Sequence, residues 1–285
     1  MVITSDGLYR GAKEVPVKRI VDEALEDCES VEKVLVVQRT NWDVNMKPGR
    51  DIWYHQELSS APDECEAEPM DSEDLLFILY TSGSTGKPKG VMHTCGGYMV
   101  YAGYSFQNVF QYDPGDVYWC TADIGWITGH SYIVYGPLLA GATTLMFEGV
   151  PTYPDAGRFW EVVQKHKVNQ FYTAPTAIRA LMACGENIPD GYDLSSLKLI
   201  GTVGEPINEE ALNWYHDKVG RQNCPVVDTW WQTETGGIMI SALGNHSAQK
   251  PTYAGNPLPG IQPVILDKQG NEITEAGKEG LLAIK

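Results

Sequence analysis

The sequence predicts an α/β fold in which parallel β-sheets are flanked by helices, with a truncated β-rich subdomain at the C-terminal end. Between residues 74 and 230, short apolar runs alternate with stretches of helical periodicity, which is typical of a parallel sheet covered on both faces. Beyond residue 236 the helical pattern gives way to proline, glycine and short apolar runs, which favour strands. We therefore expect three segments, at residues 1–73, 74–240 and 241–285.

The first segment is predicted to be a partial α/β subdomain followed by an acidic connection. Residues 2–4 predict the end of a strand, and residues 15–40 predict a helix followed by a short buried strand at 34–37. Residues 41–73 are polar, acidic and proline-containing, so we expect a long surface connection there and not core.

The second segment is predicted to be an α/β subdomain of alternating strands and helices. Its apolar strands are expected at residues 75–80, 117–120, 143–147, 170–173, 197–201 and 225–229. Its helices are expected at residues 97–109, 159–167, 176–184 and 209–219. Ligands bind at the C-terminal ends of the strands in such sheets, so a motif directly after a strand is a candidate site.

The last segment is predicted to be the start of a β-rich subdomain. The chain stops inside an apparent strand at residues 280–285 and begins at the end of another, so we expect an internal piece of a larger domain.

Composition argues against several classes of partner. Acidic residues outnumber basic residues by 37 to 21, giving a formal net charge of -16, which disfavours nucleic acid and anionic membrane surfaces. The six cysteines form no C-x-x-C pair, and we expect most of them to be buried thiols in a reducing, cytoplasmic compartment. No apolar run approaches the ~18 residues that span a bilayer. An anionic ligand must therefore be bound by a local group of donors.

Such a group follows the strand at residues 75–80. Residues 81–90 contain three glycines, four hydroxyl residues and two lysines, which suits a polyphosphate because backbone N–H, hydroxyl and ammonium donors can converge on it. The alternative is a flexible Gly/Ser loop. The segment is not a Walker A loop, because Thr81 stands where that motif requires glycine and Pro88 stands where it requires Ser or Thr.

The same residues resemble the phosphate loop of the adenylate-forming superfamily. The resemblance continues over essentially the whole chain, and within the superfamily it is to AMP-forming acetyl-CoA synthetases. It implies that the chain belongs to the large N-terminal domain of that fold. The further segments that carry it are residues 203–207, 228–237, 122–130 and 10–13.

The resemblance implies an ATP site with Mg²⁺ at Glu234. The implied catalytic residues are Lys87, Lys89, Thr233 and Glu234. The implied ATP-binding residues are Thr81, Ser82, Gly83, Ser84, Thr85, Gly86, Gly204, Glu205, Pro206, Asp228, Thr229, Trp230, Trp231, Gln232 and Thr233. A single carboxylate is compatible with Mg²⁺, which takes one or two carboxylates together with phosphate oxygens. Taken alone, the Gly-Glu-Pro turn would be interpreted as an ordinary turn, and the paired tryptophans as core aromatics.

The resemblance also implies an acyl pocket lined by Trp126, Ile127, Thr128, Val203 and Trp231. Many relatives that accept longer acids carry glycine where Trp231 stands. The indole would fill the volume of a longer chain, and overpacking by ~1–3 kcal/mol discriminates against butyrate and larger acids.

A CoA site is implied at Arg10, Gly11, Ala12, Lys13, Thr128, Thr152 and Ala174. Ala12 departs from the family pattern, in which glycine is expected. Solvated surface charges are an equally good interpretation of Arg10 and Lys13. His93 and His130 lie next to the site segments and receive no role.

The implied reaction uses ATP, acetate and CoA to give acetyl-CoA, AMP and diphosphate. The alternatives are a ligase for propionate or another short acid, an enzyme that passes the acyl group to a carrier protein, and a nucleotide-binding fragment without catalysis. The family's mobile C-terminal domain, which supplies a further lysine, is not expected within these 285 residues. We therefore expect little or no ligase activity from them alone.

Overall fold

The computed structural model describes residues 1–82, 86–243 and 250–285. These residues form two compact units. The first comprises Met1–Pro69 with Glu148–Pro154, and the second comprises Met70–Phe147 with Asp155–Lys285. The division of the sequence at residues 73 and 240 stays a prediction.

The first unit contains a three-stranded parallel sheet and a small hairpin. The sheet has the order β1–β4–β5, and β2 pairs antiparallel with β3. The strands are β1 (Val2–Ser5), β2 (Leu8–Arg10), β3 (Lys13–Val15), β4 (Val34–Val37) and β5 (Asp51–Trp53), and the helices are α1 (Val17–Ala24) and α2 (Tyr54–Ser60). The predicted helix and strand between residues 15 and 40 are confirmed. The prediction of a plain surface connection from residue 41 onward is wrong, because β5 and α2 lie within it.

Four charged side chains pack together beneath this sheet, and we call them the buried ion cluster: Lys18, Asp22, Arg50 and Asp51. The Lys18 ammonium is 1% exposed and lies 2.7 Å from an Asp22 oxygen and 2.8 Å from an Asp51 oxygen. Arg50 Nε lies 2.5 Å from the second Asp51 oxygen. Burial raises the pKa of Asp51, but the hydrogen bonds from Arg50 and Lys18 outweigh it and hold that pKa well below its usual range. Each buried charge is therefore paired, as burial requires.

The second unit is built on a seven-stranded mixed sheet with the order β14–β13–β12–β11–β10–β8–β9. Strands β8 to β12 are parallel, and β13 and β14 add to one edge in antiparallel sense. The strands are β8 (Val117–Cys120), β9 (Thr143–Leu145), β10 (Gln170–Thr173), β11 (Leu199–Val203), β12 (Val226–Trp230), β13 (Ile240–Ser241) and β14 (Asn256–Pro257). The predicted α/β class is confirmed.

Helices cover this sheet in the way the alternating pattern predicts. They are α3 (Cys95–Phe110), α4 (Ile127–Gly129), α5 (Gly136–Leu139), α6 (Arg158–His166), α7 (Pro175–Cys184) and α8 (Glu209–Trp214). Two π-helical segments, His130–Tyr135 and Tyr215–Val219, extend α4 and α8, and Ile188–Gly191 is a short 3₁₀ helix.

Successive side chains of the parallel strands enter two separate cores, because a strand points them alternately to opposite faces. Tyr118 and Tyr172 lie on one face with Phe110 of α3. Trp119 and Phe171, their immediate neighbours, lie on the other face with α6, α7 and α8. Burial on both faces explains why these strands are apolar runs and not alternating patterns.

The strand predicted at residues 75–80 is present, but its setting differs from the prediction. β6 (Leu75–Thr81) pairs antiparallel with β7 (Lys89–Thr94) in a two-stranded sheet of its own. One set of its large side chains is exposed, with Tyr80 at 69% and Ile78 at 48%, whereas Leu76, Phe77 and Leu79 pack against the cluster of Tyr98, Ala102 and Ile127. The prediction that this strand is buried in the parallel sheet is wrong. The Gly/Ser/Thr/Lys segment therefore joins the two strands of a hairpin.

The C-terminal residues form a second hairpin, from β15 (Pro263–Leu266) and β16 (Leu281–Ile284). Short strands after residue 236 agree with the predicted β-rich character. Within the described ranges, no helix is long and apolar enough to cross a membrane.

All six cysteines are free thiols. Cys95, Cys120 and Cys224 are buried, Cys28 is half-buried, and Cys65 and Cys184 are exposed, so the prediction that most of the six are buried is wrong.

Candidate nucleotide and acyl site

Two of the predicted site segments leave the sheet side by side. β11 and β12 are parallel neighbours, with Thr202 opposite Asp228 and Val203 opposite Thr229. The Gly-Glu-Pro turn follows β11, and the segment from Trp231 to Gly237 follows β12. Both segments therefore start at the C-terminal edge of the sheet, where α/β proteins bind their ligands.

Asp228 is a carboxylate buried at this edge. Its Oδ1 accepts a hydrogen bond from Thr202 Oγ1 at 2.7 Å and another from the Thr229 backbone N–H at 3.0 Å. Burial raises the pKa of Asp228, and those two hydrogen bonds oppose the rise only in part. Among the described residues no cation pairs with Asp228. The Asp228 carboxyl group therefore has no positive counter-charge among the described residues, and it lies next to the predicted nucleotide position.

A chain of hydroxyl groups links Trp231 to the sheet. Thr229 Oγ1 donates to the Thr202 carbonyl at 2.8 Å, so the Tyr172 hydroxyl donates in turn to Thr229 Oγ1 at 2.6 Å. The Trp231 indole N–H points to the Tyr172 hydroxyl at 3.4 Å. The indole also meets the edge of the Tyr132 ring, with centroids 5.0 Å apart. Its orientation is therefore set by fully buried tyrosines.

Residues 232–237 form a tight turn whose backbone is held by hydrogen bonds within the turn and from Ser131. The N–H groups of Thr235 and Gly236 both donate to the Gln232 carbonyl at 3.2 Å. Ser131 Oγ donates to the Gly236 carbonyl at 2.6 Å, and the Tyr98 hydroxyl, 2.8 Å from Ser131 Oγ, donates to it. Burial raises the pKa of Tyr98, so its hydroxyl stays a donor at physiological pH.

Residue 238 is bonded on both of its backbone groups. Tyr101 Oη donates to the Ile238 carbonyl at 2.7 Å, and the Ile238 N–H donates to Tyr132 Oη at 2.7 Å. Burial raises the pKa of Tyr101 to about 12. The Tyr132 hydroxyl in turn donates a hydrogen bond to Ser105 Oγ at 2.7 Å, and the Ser105 hydroxyl donates to the Tyr101 carbonyl. The turn that carries Thr233 and Glu234 is thus fixed to α3 and the π-helical segment.

Glu234 lies in a cleft of ≈ 230 Å³ between this turn, β7 and the start of α3. The cleft is lined by Met92, His93, Thr94, Gly97, Tyr98, Tyr101, Glu234, Thr235 and Gly236. The Glu234 side chain is exposed, and it makes no hydrogen bond or ion pair with the residues that the structure describes. Those residues also contain no group of three His, Cys, Asp or Glu that could hold a metal alone. A free carboxylate of this kind fits Mg²⁺ that receives its other ligands from phosphate and water.

The lysines of the predicted phosphate loop are placed on the β6–β7 hairpin. Lys89 opens β7 opposite Thr81, and Lys87 lies in the connection before it. Both lysines are exposed, and neither pairs with a carboxylate among the described residues. Ser82 and Gly86 flank the connection, with Gly86 at φ 80°.

Three predicted loop residues, Gly83, Ser84 and Thr85, lie outside the described residues.

The Gly-Glu-Pro turn at residues 204–206 is open on one side, and its Glu205 is hydrogen-bonded to α7. Gly204 has φ +96°, and no atom lies within 4 Å of the position that a Cβ would occupy. Glu205 accepts hydrogen bonds from Thr176 Oγ1 and, at 2.8 Å, from Arg179 of α7. These bonds, led by the one from Thr176, lower the pKa of Glu205. Pro206 is exposed beside them. The open backbone of Gly204 leaves room for a flat ring.

Three of the five predicted acyl-pocket residues, Ile127, Val203 and Trp231, belong to or pack against two neighbouring apolar clusters. Val203 belongs to the apolar cluster on one side of Trp231, and Ile127 belongs to the cluster on the other. Thr128 follows Ile127 in α4 and is half-buried. Trp126, immediately before α4, is 71% exposed. The structure therefore brings Ile127, Val203 and Trp231 together while Trp126 faces solvent.

The predicted CoA residues fall in both units. Arg10 and Lys13 face each other across the β2–β3 hairpin, and Gly11 sits in its turn at φ +62°. A Cβ at Gly11 would lie 3.2 Å from Val150 Cγ2 and 3.5 Å from Tyr153 Cβ, so this hairpin approaches the segment that holds Thr152.

The remaining members of that group belong to the second unit. Ala174 caps the start of α7, and Thr128 lies in α4. Ala12 completes the hairpin turn next to Gly11.

The whole chain, residues 1–285, matches the family model described as AMP-binding enzyme. The chain belongs to this family.

Among the family's curated members, two acetyl-CoA synthetases illustrate the similarity. Acetyl-coenzyme A synthetase 2 of Pseudomonas aeruginosa is 61% identical over 284 residues, which are 100% of this chain and 44% of that protein. Acetyl-coenzyme A synthetase of Bdellovibrio bacteriovorus is 60% identical over 283 residues, covering 99% of this chain and 44% of that protein. The chain thus spans less than half the length of these AMP-binding enzymes.

A solved structure supports the fold. The acetoacetyl-CoA synthetase from Streptomyces lividans superposes with a TM-score of 0.83 at 22% identity, over 99% of this chain and 43% of that one. At this identity the likeness establishes the architecture of the AMP-binding family and nothing finer.

The residues that hold the site segments in place were not predicted from sequence. Tyr98, Ser131 and Tyr132 bond the turn at 236–238, and His93 bonds the carbonyl of Thr233. A polar residue inside an otherwise apolar helical stretch was the available signal for Ser131 and Tyr132. Their partners lie more than 100 positions away in the chain, which no local pattern can show.

Proposed function

We propose that the protein activates acetate with ATP and transfers the acetyl group to CoA. The observation that carries the proposal is that Trp231 packs against both the cluster that contains Val203 and the cluster that contains Ile127, directly after the strand that holds Asp228. An indole in that position would fill the volume that a longer acyl chain needs. Identity of 58–61% to acetyl-CoA synthetases supports the same substrate.

The first half-reaction joins the acid to AMP. A carboxylate oxygen of acetate attacks the α-phosphorus of ATP, the bond to the β-phosphate oxygen breaks, and pyrophosphate leaves. Lys87 and Lys89 would neutralise charge on the phosphates, and Thr233 would contact the α-phosphate. Bound Mg²⁺ would supply further charge neutralisation beside Glu234. The chain offers positioning and compensation of charge, which this class of transfer needs more than a protein nucleophile.

The second half-reaction forms the thioester. The CoA sulfur attacks the acyl carbon, the bond from that carbon to the AMP oxygen breaks, and the thiol proton passes to solvent. Arg10 and Lys13, exposed on the β2–β3 hairpin, are proposed to meet phosphates of CoA. Thr152 is close to that hairpin through its neighbours Val150 and Tyr153.

The share of the relatives' length that this chain spans limits what is proposed for residues 1–285 by themselves. Because that share is 44%, MgATP binding is the step proposed for these residues alone, and turnover is proposed for a polypeptide of full family length.

The test has a binding arm and a turnover arm. Calorimetric titration of residues 1–285 with MgATP should show saturable binding, and Glu234→Gln should weaken it roughly 10-fold or more. In a full-length polypeptide, pyrophosphate release should be highest with acetate, lower with propionate and near background from butyrate to hexanoate, and acetyl-CoA should appear on adding CoA. Equal rates from C2 to C6 acids would refute the acetate assignment. Transfer only to a carrier protein would refute the CoA assignment.

A further inference from the structure

His93 lies where two predicted parts of the nucleotide site meet. It is the fifth residue of β7, the strand that begins at Lys89, and it lines the same cleft as Glu234. The hydrogen-bonded pairing of β6 with β7 runs without interruption from Lys89 to His93. At about 3.3 Å per residue, these two residues are about 13 Å apart along the strand.

The His93 ring makes one strong polar contact, and it is to the turn that carries Glu234. Nε2 lies 2.8 Å from the carbonyl oxygen of Thr233. A carbonyl oxygen only accepts, so Nε2 bears the proton and donates. The hydrogen bond is made to the residue predicted to touch the α-phosphate, immediately before the residue predicted to bind Mg²⁺.

Packing fixes the plane of the ring. Its centroid lies 5.1 Å from that of Phe77 on the paired strand β6 and 5.1 Å from that of Tyr98 on α3. Gly236 faces the ring so closely that an added Cβ would lie 2.9 Å from His93 Cε1. The ring thus has little freedom to turn away from Thr233.

We propose that His93 is a positioning residue that ties the phosphate-loop hairpin to the Thr233–Glu234 turn and so presets the turn for MgATP. The inference rests on the proposed function. It adds that the lysines and the carboxylate are held in mutual register by the hydrogen bond from His93 to the Thr233 carbonyl. Preorganisation of this kind raises affinity because less ordering is left for the moment of binding.

Three substitutions separate the hydrogen bond from the packing. His93→Ala removes both, His93→Gln keeps an N–H donor of similar reach, and His93→Phe keeps a flat ring without the donor. His130→Ala is the matched control, because His130 Nδ1 also approaches a backbone carbonyl, that of Trp126 at 3.0 Å, and its ring also packs on Phe77, at 4.9 Å. Thermal unfolding of each variant reports whether it folds.

The readout is calorimetric binding of ATP to residues 1–285, with and without Mg²⁺. We expect His93→Ala and His93→Phe to bind MgATP roughly 5- to 50-fold more weakly than the wild type. His93→Gln should come within about 3-fold of the wild type, and His130→Ala should be unchanged. Metal-free ATP should discriminate less between the variants, because Glu234 then has no partner to bind.

Two results would overturn the inference and leave the proposed function standing. One is that the wild-type protein binds MgATP and that the His93→Ala and His93→Phe variants bind it with the same affinity as the wild type. The other is a His93→Phe variant that retains affinity while His93→Gln loses it, which would make His93 a packing residue only. A wild-type protein that does not bind MgATP would overturn the proposed function and the inference together.

Discussion

Carboxylates occupy two contrasting settings in this chain. In the buried ion cluster of the first unit, Asp51 is met by Lys18 and Arg50, and its pKa is held well below the usual range. At the edge of the seven-stranded sheet, Asp228 is equally well buried but has only a hydroxyl and an N–H as partners, and its pKa is raised. Glu234 nearby has no partner among the described residues.

The presence or absence of a protein counter-charge distinguishes carboxylates that stabilise the fold from carboxylates that are available to a ligand. A buried charge that is paired with a counter-charge is satisfied within the fold, and removing one member of the pair leaves the other uncompensated. A carboxylate without a counter-charge gains one only when a ligand arrives, so its loss should appear in binding more than in stability. Substitutions at Asp51 and Asp228 test this separation directly, and substitutions at Gly236 and Trp231 test the surroundings of the candidate site.

Asp51→Ala should have the largest effect, and it should be on stability. It leaves Lys18 buried with one fewer counter-charge, so we expect the free energy of unfolding to fall by about 3–5 kcal/mol. Chemical denaturation measures this loss. Glu23→Ala is the control, because Glu23 pairs with Arg19 at the surface, and it should change stability by less than about 1 kcal/mol. Similar losses in the two variants would contradict the assignment of the cluster to stability.

Gly236→Ala should come next and should affect both stability and nucleotide binding. The residue has φ +70°, and the new methyl group would meet His93 and, at 3.0 Å, Tyr98. Backbone strain and crowding together should cost about 2–4 kcal/mol. Gly141→Ala is a matched control, with φ +67° and nothing within 4 Å, and should cost about 1–2 kcal/mol. Denaturation curves and MgATP titrations of both variants would reveal the difference, and identical curves would remove the contact argument.

Trp231→Ala should act on selectivity. Removing the indole should raise kcat/KM for butyrate relative to that for acetate. The expected change corresponds to about 1–3 kcal/mol in transition-state free energy. Pyrophosphate release from a full-length polypeptide measures it. Trp126→Ala makes the comparison decisive, because Trp126 is 71% exposed and should leave the preference nearly unchanged. A wider range of acids from Trp126→Ala alone would place the pocket wall at the exposed tryptophan.

Asp228→Asn should have the smallest effect on stability and should have the opposite sign to Asp51→Ala. A carboxyl group whose pKa is raised in the folded state destabilises that state once the pH exceeds the raised pKa, and the penalty vanishes as the pH falls through it. Asparagine keeps an oxygen for Thr202 and Thr229, so we expect a gain of up to about 1 kcal/mol at pH 7 that disappears in acid. Melting temperatures between pH 4 and 8 would measure it. A variant less stable than the wild type at pH 7 would show that the charge is compensated after all.

The sequence predicts the parallel core well because its strands have a single possible environment. A run such as residues 170–173, buried on both faces between helices, is apolar throughout and is found where periodicity predicts it. Residues 75–80 are just as apolar and yet form half of a separate two-stranded hairpin with one exposed face. Apolar composition reports a tendency to be covered, but it does not identify the covering element, so the strand was correct and its sheet was wrong.

The buried ion cluster shows a second limit. Asp51 was assigned to a surface connection because the residues around it are polar, and its partner Lys18 is 33 positions away. A charge pair of that separation has no period, and each member looks like an ordinary surface residue. The members of the candidate site come from the family resemblance, whereas periodicity alone supplied only the strands that precede them.

The seven-stranded sheet is bounded on both sides by very short strands. β9 has three residues, and β14 has two, of which the second is Pro257. Proline brings no N–H to a strand, so it cannot take part fully in a further ladder. An exposed strand edge is a template on which another copy of the chain can align and start an aggregate. Because its last strand ends in a proline without a backbone N–H, the seven-stranded sheet offers little to a neighbouring copy at that edge, which disfavours its growth by strand addition there.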